Sequence, residues 1–257
     1  MILTVNIGNT HITAAAYADG SLRFAGKLSA TPATSDEYAI RLIHLLTLHH
    51  SDPQQIQGAI LASVVPALTG RMMAALRMLT PVRIMTVGPG LKSGLKLRLD
   101  QPAQLGAELL CGVVAAMAEG PAPMAVIFSD TALSIMAVNA QKELVGGVIL
   151  PGPQLSLTSL VQNPAQLPQI DLTAPAPASV LGRNTSACLQ AGMVLGTASL
   201  LDGLAERFRA ELGPDTVFYA TGNLPVNLRK ACRTPILYRQ NLVTDGLYQI
   251  WQRNQKG

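Results

Sequence analysis

The sequence predicts an α/β protein built from two similar halves, and three observations carry that expectation. Of 257 residues, 49% are hydrophobic and only 13% are charged, which excludes an extended disordered chain and leaves ample material for a core. The apolar residues are mostly Ala, Leu and Val, with aromatics at 4%, so the small side chains suit close contacts between helix and sheet. A unit of strand, polar loop and strand near the start returns near the middle, and each copy is followed by alternating strands and helices, the pattern of parallel βαβ pairing.

The elements follow in order. Residues 2–6 read as a buried strand that ends at Ile7-Gly8-Asn9-Thr10, and residues 12–17 read as a second strand. Asp19-Gly20 then turns the chain into a third strand over 22–28. A helix starts at Ser35, with Asp36 and Glu37 at its positive end and Ile40, Ile43 and Leu46 on its apolar face. Residues 58–65 form a buried strand stopped by Pro66, and a helix over 69–79 and a strand over 82–87 complete a βαβ unit. After Asp100-Gln101-Pro102, residues 105–117 form a helix rich in small residues, broken by Glu119-Gly120-Pro121-Ala122-Pro123. The domain boundary is expected there, giving domains 1–118 and 119–257.

The second half then repeats the opening. Residues 125–128 form a strand, Ser129-Asp130-Thr131-Ala132 a polar loop, 133–138 a strand and 139–142 a turn. A shift of 122 residues superposes Asn6 on Phe128, Gly8 on Asp130 and the strand 12–17 on 134–139. The match is one of pattern without identity, as an old gene duplication would leave. Further on, residues 186–212 read as one helix carrying Gly192, Gly196 and Ala198, small residues that permit either close core packing or a dimer contact. Ala174-Pro175-Ala176-Pro177 is a short stiff loop before it.

Several function classes are excluded along the way. The net charge is +4, but the basic residues are scattered, so no nucleic-acid footprint is expected, although a mildly positive molecule helps to attract anionic ligands. Cys111, Cys188 and Cys232 lie far apart in apolar sequence and read as buried structural thiols, with neither a disulfide framework nor a CxxC site. The four histidines, His11, His44, His49 and His50, lack zinc spacing, and Ser63 and Ser134 lack the context of a hydrolase nucleophile. The opening Met1-Ile2-Leu3-Thr4-Val5 has no basic region, and no uninterrupted apolar stretch reaches the roughly 18 residues of a membrane span. A cytoplasmic protein without a membrane partner is the expectation.

Two copies of strand, polar loop, strand with βαβ units resemble the two-domain actin/hexokinase/Hsp70-like ATPase fold, built from duplicated ribonuclease H-like domains. In that fold the two loops face each other across a cleft and grip ATP. Glycine lets the backbone approach phosphate, Thr or Asn supplies donors, and a carboxylate at the strand end holds Mg²⁺ through water. The chain further resembles the type III pantothenate kinases over nearly its whole length, by Gly8-Asn9-Thr10, Ala62-Ser63-Val64-Val65-Pro66, Lys92-Ser93-Gly94-Leu95, Gly106-Ala107, Gly146-Gly147-Val148-Ile149-Leu150-Pro151-Gly152, Gly182-Arg183-Asn184-Thr185, Thr221-Gly222, and Asn241-Leu242 with Gly246-Leu247. The resemblance implies ATP-dependent phosphorylation of pantothenate in coenzyme A biosynthesis, with Mg²⁺ and a monovalent cation (K⁺ or NH₄⁺), in a homodimer whose pantothenate pocket spans the interface. It implies a first phosphate loop at Gly8, Asn9 and Thr10, a second that includes Thr131 and Ala132, and Thr221 and Gly222 near the adenosine. Gly106, Ala107 and Glu108 would line the substrate pocket, with Thr185 reaching it from the other subunit.

The departures from the family pattern fall on the chemistry. Asn6 stands where the family has the metal-holding Asp, and a neutral amide holds Mg²⁺ less well. In the Gly-Ala-Asp-Arg motif, Glu108 replaces the Asp that takes the proton from the pantothenate hydroxyl, and Leu109 replaces the substrate-holding Arg. Glu keeps a carboxylate but moves it by roughly 1.5 Å, enough to slow a positioned base by orders of magnitude. In the second loop Phe128 replaces Asp and Asp130 replaces Gly, which sets a negative charge near a phosphate at an expected cost on the order of 1 to 4 kcal/mol at about 4 Å. A shifted register would instead make Asp130 a replacement metal ligand. The expectation is a chain weak or inactive alone, acting as a homodimer or as a heteromer with a complementary paralogous chain. The alternative is a non-catalytic binding or regulatory protein whose cleft Leu109 and Phe128 make more apolar.

Overall fold

The computed structural model describes residues 1–162 and 167–255. The chain forms two units, one of Met1–Leu95, Gln101–Glu119 and the segment from Asn241 on, the other of Lys96–Asp100 and Gly120–Gln240. The sequence reading divides the chain once, into 1–118 and 119–257; in the structure the chain returns to the first unit at Asn241.

In the first unit, alternating apolar residues and the Asp19-Gly20 turn build a meander of β1 (Ile2–Ile7), β2 (His11–Ala18) and β3 (Ser21–Ser29). Helix α1 (Ser35–Leu48) opens with a capping box, in which the Glu37 N–H donates to Thr34 Oγ1 at 3.2 Å and the Thr34 N–H donates to Glu37 Oε2 at 2.7 Å. Next come β4 (Gly58–Ser63), α2 (Pro66–Leu79) and β5 (Ile84–Thr86). Pro66 is the first residue of α2, not only the end of the strand as its sequence suggests, because the fixed φ of proline suits the first helical turn and its missing N–H is not needed there. The sheet order is β3-β2-β1-β4-β5, with the first three strands antiparallel and β1, β4 and β5 parallel.

The second unit begins with β6 (Lys96–Leu97), after which the chain returns to the first unit for α3 (Ala107–Glu119). The meander β7 (Met124–Ser129), β8 (Ala132–Val138) and β9 (Glu143–Pro151) is followed by α4 (Pro153–Gln162), α5 (Thr185–Ala191), α6 (Thr197–Leu212), β10 (Val217–Gly222), α7 (Val226–Ala231) and β11 (Ile236–Tyr238). Its sheet order is β11-β10-β7-β8-β9-β6, the same order as the first sheet with β6 added at the edge. The repeat is closer than the sequence pattern shows. Strand β7 matches β1, and β9 matches β3, at both ends under the shift of 122, and each meander carries a bulge at the same place, Arg23 in β3 and Val145 in β9. The two connections differ: the first is shorter by one residue in the second meander, and the turn between its second and third strands is longer by one. Ile7 pairs with Ile12 but Ser129 pairs with Leu133, so the second loop is one residue shorter and β8 runs one residue earlier than the expected match.

The residues 186–212, expected as one α-helix, are interrupted by a π-helical turn over Gly192–Gly196, between α5 and α6. The run Thr185–Leu212 is long and apolar enough to cross a membrane by length and composition alone, with 28% of its most apolar window buried. Helix α8 (Leu242–Arg253) closes the first unit, packing on α3, β1 and β4. Gly246 lets it cross the Cys111 backbone of α3, and Trp251 fills the space above Gly58. Each unit has its own core: Leu3, Val5, Tyr38, Leu42, Leu61, Met72 and Leu76 in the first, and Ile127, Leu133, Ile135, Val194, Leu201 and Phe218 in the second. Of the three thiols expected to be buried, only Cys111 is; Cys232 is half-buried and Cys188 is exposed, because α5 turns that face outward.

Candidate functional site

In the first unit, the candidate residues gather at the ends of β1 and β4. The β1–β2 loop is closed by the Gly8 N–H, which donates to the His11 carbonyl at 2.9 Å, and Asn9 and Thr10 at its tip are exposed. Asn6, the penultimate residue of β1 before the loop, is 7% exposed, and its Oδ1 is buried with no hydrogen-bond partner. An acceptor left unpaired in the interior costs about 1–3 kcal/mol, so this oxygen suits a bound water or a metal-bound water. The Val64 N–H donates to the Ile7 carbonyl at 3.0 Å, which brings the end of β4 beside the loop. Val64 in turn lies beside Gly106: a Cβ at Gly106 would stand 4.0 Å from Val64 Cγ1 and 3.8 Å from Leu109 Cδ1.

Thus the β1–β2 loop and the start of α3 share one edge of the first unit. Glu108 stands in the first turn of α3, half-buried, where the helix dipole favours a carboxylate. Its charge reaches inward: burial, and then the negative charge of Glu108, push the Cys111 thiol well above the usual range. Leu109 places carbon beside Gly106.

In the second unit, three segments converge. The Asp130 N–H donates to the Ala132 carbonyl at 2.9 Å, forming the short β7–β8 loop, and the Gly152 N–H donates to the Thr131 carbonyl at 2.9 Å. Gly152 and Gly222 are required here. A Cβ on Gly152 would strike the Asp130 and Thr131 carbonyls, and one on Gly222, whose φ is +87°, would strike the Ser129 carbonyl. The Asp130 carboxylate accepts from Asn223 Nδ2 at 3.1 Å, so the charge expected to oppose a phosphate is tied to the segment after β10. Thr221 is buried at 3% exposure, and Thr131 and Ala132 are exposed. Tyr238 Oη donates to the Gly222 carbonyl at 2.7 Å, and the Arg229 guanidinium stacks on the Tyr238 ring at 4.0 Å. Thr185 opens α5, which Asn184 caps by accepting from the Ala187 N–H at 2.9 Å.

The sequence reading gave Phe128 a place in a more apolar cleft, but it is buried at 5% exposure within β7, so its ring belongs to the interior. Asn223, Gly152, Val64 and Tyr238 were not singled out as site residues. The Gly222-Asn223 pair after a strand was the one local sign of a tight loop; the other three act through long-range contacts. Among the described residues, no group of three or more His, Cys, Asp and Glu side chains is placed to hold a metal ion.

The family model described as type III pantothenate kinase matches residues 2–207. The chain belongs to the type III pantothenate kinase family. A type III pantothenate kinase of Rhodospirillum centenum is 37% identical over 89% of this chain and 85% of its own length. One from Exiguobacterium sp. is 32% identical over 100% of both chains. The activator of 2-hydroxyisocaproyl-CoA dehydratase from Clostridium difficile, solved with bound ADPNP, matches in fold with a TM-score of 0.59 at 11% identity, covering 99% of this chain and 96% of that one. The expected actin/hexokinase-like architecture is therefore the fold of this type III pantothenate kinase family member. The family phosphorylates pantothenate on the way to coenzyme A, and its fold implies the use of ATP and a divalent metal.

Proposed function

We propose that the chain binds ATP and pantothenate and phosphorylates pantothenate slowly by itself, reaching full turnover only with a complementary paralogous chain. Glu108 is the base: its carboxylate takes the proton of the pantothenate hydroxyl as that oxygen bonds to the γ-phosphorus of ATP, and the bond to the leaving ADP oxygen breaks. Gly8, Asn9 and Thr10 of the first loop, and Thr131 and Ala132 of the second, hold the phosphates by backbone and hydroxyl donors. Thr221 and Gly222 border the adenosine. Bound Mg²⁺ neutralises phosphate charge, and Asn6 Oδ1, buried and unpartnered, would hold it through water, with Asp130 as a second candidate. A monovalent cation, K⁺ or NH₄⁺, belongs to the same reading by family. So do a cytoplasmic location and a pocket completed by a second chain, with Gly106 and Ala107 from one and Thr185 from the other.

The observation that carries the reduced rate is Leu109. Its side chain lies beside Gly106, so the wall that in the family offers a guanidinium offers carbon. The loss of one charge-assisted hydrogen bond to substrate corresponds to about 1.5–3 kcal/mol, or roughly ten- to hundredfold in affinity.

The test is phosphorylation of pantothenate by the purified chain with Mg²⁺, ATP and K⁺, beside the variant Asn6→Asp/Leu109→Arg/Asp130→Gly. Slow turnover that rises in the triple variant, or on addition of a paralogue from the same cell, is expected. Full turnover by a homodimer of the unaltered chain would overturn the need for a partner, and no turnover under any of these conditions would overturn catalysis. The second reading, a non-catalytic binding protein, is favoured by one feature: Val64, 38% exposed, and Leu109 make an apolar wall beside the first loop. Thermal stabilisation by pantothenate-like ligands without turnover is its signature.

A further inference from the structure

In the second unit, the carboxylate expected to oppose a phosphate has a fixed partner. Strands β7 and β10 are parallel neighbours, with Phe128 level with Thr221 and Ser129 level with Gly222. The ladder runs one step past β10: the Asn223 N–H donates to the Ser129 carbonyl at 2.5 Å, which carries Asn223 up beside Asp130. From that seat Asn223 Nδ2 donates to Asp130 Oδ1 at 3.1 Å.

The backbone under Asn223 is itself held. Gly222 turns the chain at φ +87°, packed so closely on the Ser129 carbonyl that no side chain fits there. Tyr238 Oη donates to the Gly222 carbonyl at 2.7 Å, and the Arg229 guanidinium stacks on the Tyr238 ring at 4.0 Å. The amide of Asn223 therefore starts from a preorganised position, and little ordering is needed for it to meet the carboxylate. On the loop side, Asp130 is half-buried and its N–H donates to the Ala132 carbonyl at 2.9 Å, while Thr131 and Ala132 stand exposed at the tip. A loose carboxylate one residue from that tip would repel an anion bound there. The contact with Asn223 turns it toward the end of β10 and engages one of its oxygens with an N–H donor.

We propose that Asn223 is a positioning residue for nucleotide binding: it holds the Asp130 carboxylate toward the end of β10 and off the phosphates at Thr131 and Ala132. The inference rests on the reading of Thr131 and Ala132 as a phosphate loop, and it supplies the residue that lets this loop keep an aspartate where the family has glycine.

The test is a double-mutant cycle, read by calorimetric titration of the full chain with a non-hydrolysable ATP analogue and Mg²⁺. Asn223 is exposed, so Asn223→Ala leaves the fold intact, which circular dichroism checks. It frees the carboxylate and should weaken binding about tenfold, the effect of one hydrogen bond to a charged group, and the loss should shrink as salt is added. In the Asp130→Asn background the same substitution should change affinity by less than about twofold, because no charge is left to release. A tie that merely joined the two segments would be lost in both backgrounds, with no dependence on salt. Unchanged affinity in Asn223→Ala, or an equal loss in both backgrounds, would overturn the proposal and leave the phosphate loop standing. No binding by any member of the cycle would overturn the phosphate-loop reading and the proposal with it.

Discussion

Replacing Gly246 by alanine should destabilise the protein, whereas the same replacement at Gly70 should stabilise it. Both glycines lie inside helices. An alanine Cβ at Gly246 would fall on the Cys111 carbonyl of α3, more than an ångström inside the 3.0 Å that real Cβ atoms respect, and backbone has no rotamer with which to yield. Helix α8 must then lift from α3, loosening Leu247, Ile250 and Trp251, all buried beneath it. Overpacking of this kind costs up to about 3 kcal/mol. The better helix propensity of alanine offsets about 1 kcal/mol, leaving a net loss of about 2 kcal/mol. At roughly 2–4 °C per kcal/mol for a chain of this size, Tm should fall by about 4–8 °C. A Cβ at Gly70, exposed in α2, meets nothing within 4 Å, so only the propensity gain remains, worth about 1 kcal/mol and a rise of roughly 2–4 °C. Thermal melts followed by far-ultraviolet circular dichroism decide it. Shifts of the same sign in both variants would refute the reasoning, because the chemistry of the substitution is identical and only the neighbour differs.

Further outcomes follow from the same geometry. Lys96, then Asn139 and Arg98, hold the Glu143 carboxyl down to about 2, against 4.5 for the free group; its contribution is therefore complete above about pH 4.5 and is lost as pH falls toward 2. In Glu143→Gln, Tm near neutral pH should fall, and the acid-induced decline between pH 4.5 and 2 should flatten; an unchanged decline would refute the assignment. Asn6→Asp should make binding of a non-hydrolysable ATP analogue depend on Mg²⁺, by about tenfold between Mg²⁺ and chelator, since one full charge replaces an amide. Equal binding in both conditions would show that Asn6 does not face the metal. Tyr238→Phe removes the hydrogen bond to the Gly222 carbonyl, so stability should fall by about 1 kcal/mol, and nucleotide affinity several-fold, in a titration with the same analogue.

The two meanders were legible in the sequence because period-two apolar strands and the Asp19-Gly20 turn are local signals. The start of α2 at Pro66 was misplaced because proline reads equally as a strand stop and as a first helical residue. The π-helical turn at Gly192–Gly196 left no sign, since three apolar residues between two glycines occur equally in any core helix. Asn6, Glu108, Leu109 and Asp130 were found by their departure from a family pattern, but their surroundings were not. The tie from Asp130 to Asn223 joins residues 93 positions apart, and the approach of Val64 to Gly106 joins the start of α3 to the end of β4. Neither contact has a local signature. The placement of α8 in the first unit is hidden for the same reason, as an amphipathic helix does not state which sheet it covers.

That placement of α8 also governs the order of events during synthesis. Domains ordinarily fold one after another as the chain emerges, N-terminal first. Here the first unit lacks the helix that covers Gly58 and crosses Cys111 until Leu242–Arg253 has been translated, so the middle of the chain can mature before its beginning. A ribosome stalled anywhere before residue 242 would hold a nascent chain with an open hydrophobic flank on β1, β4 and α3, a target for chaperones. A frameshift just ahead of residue 242 would leave β1, β4 and α3 translated and their unit unfinished.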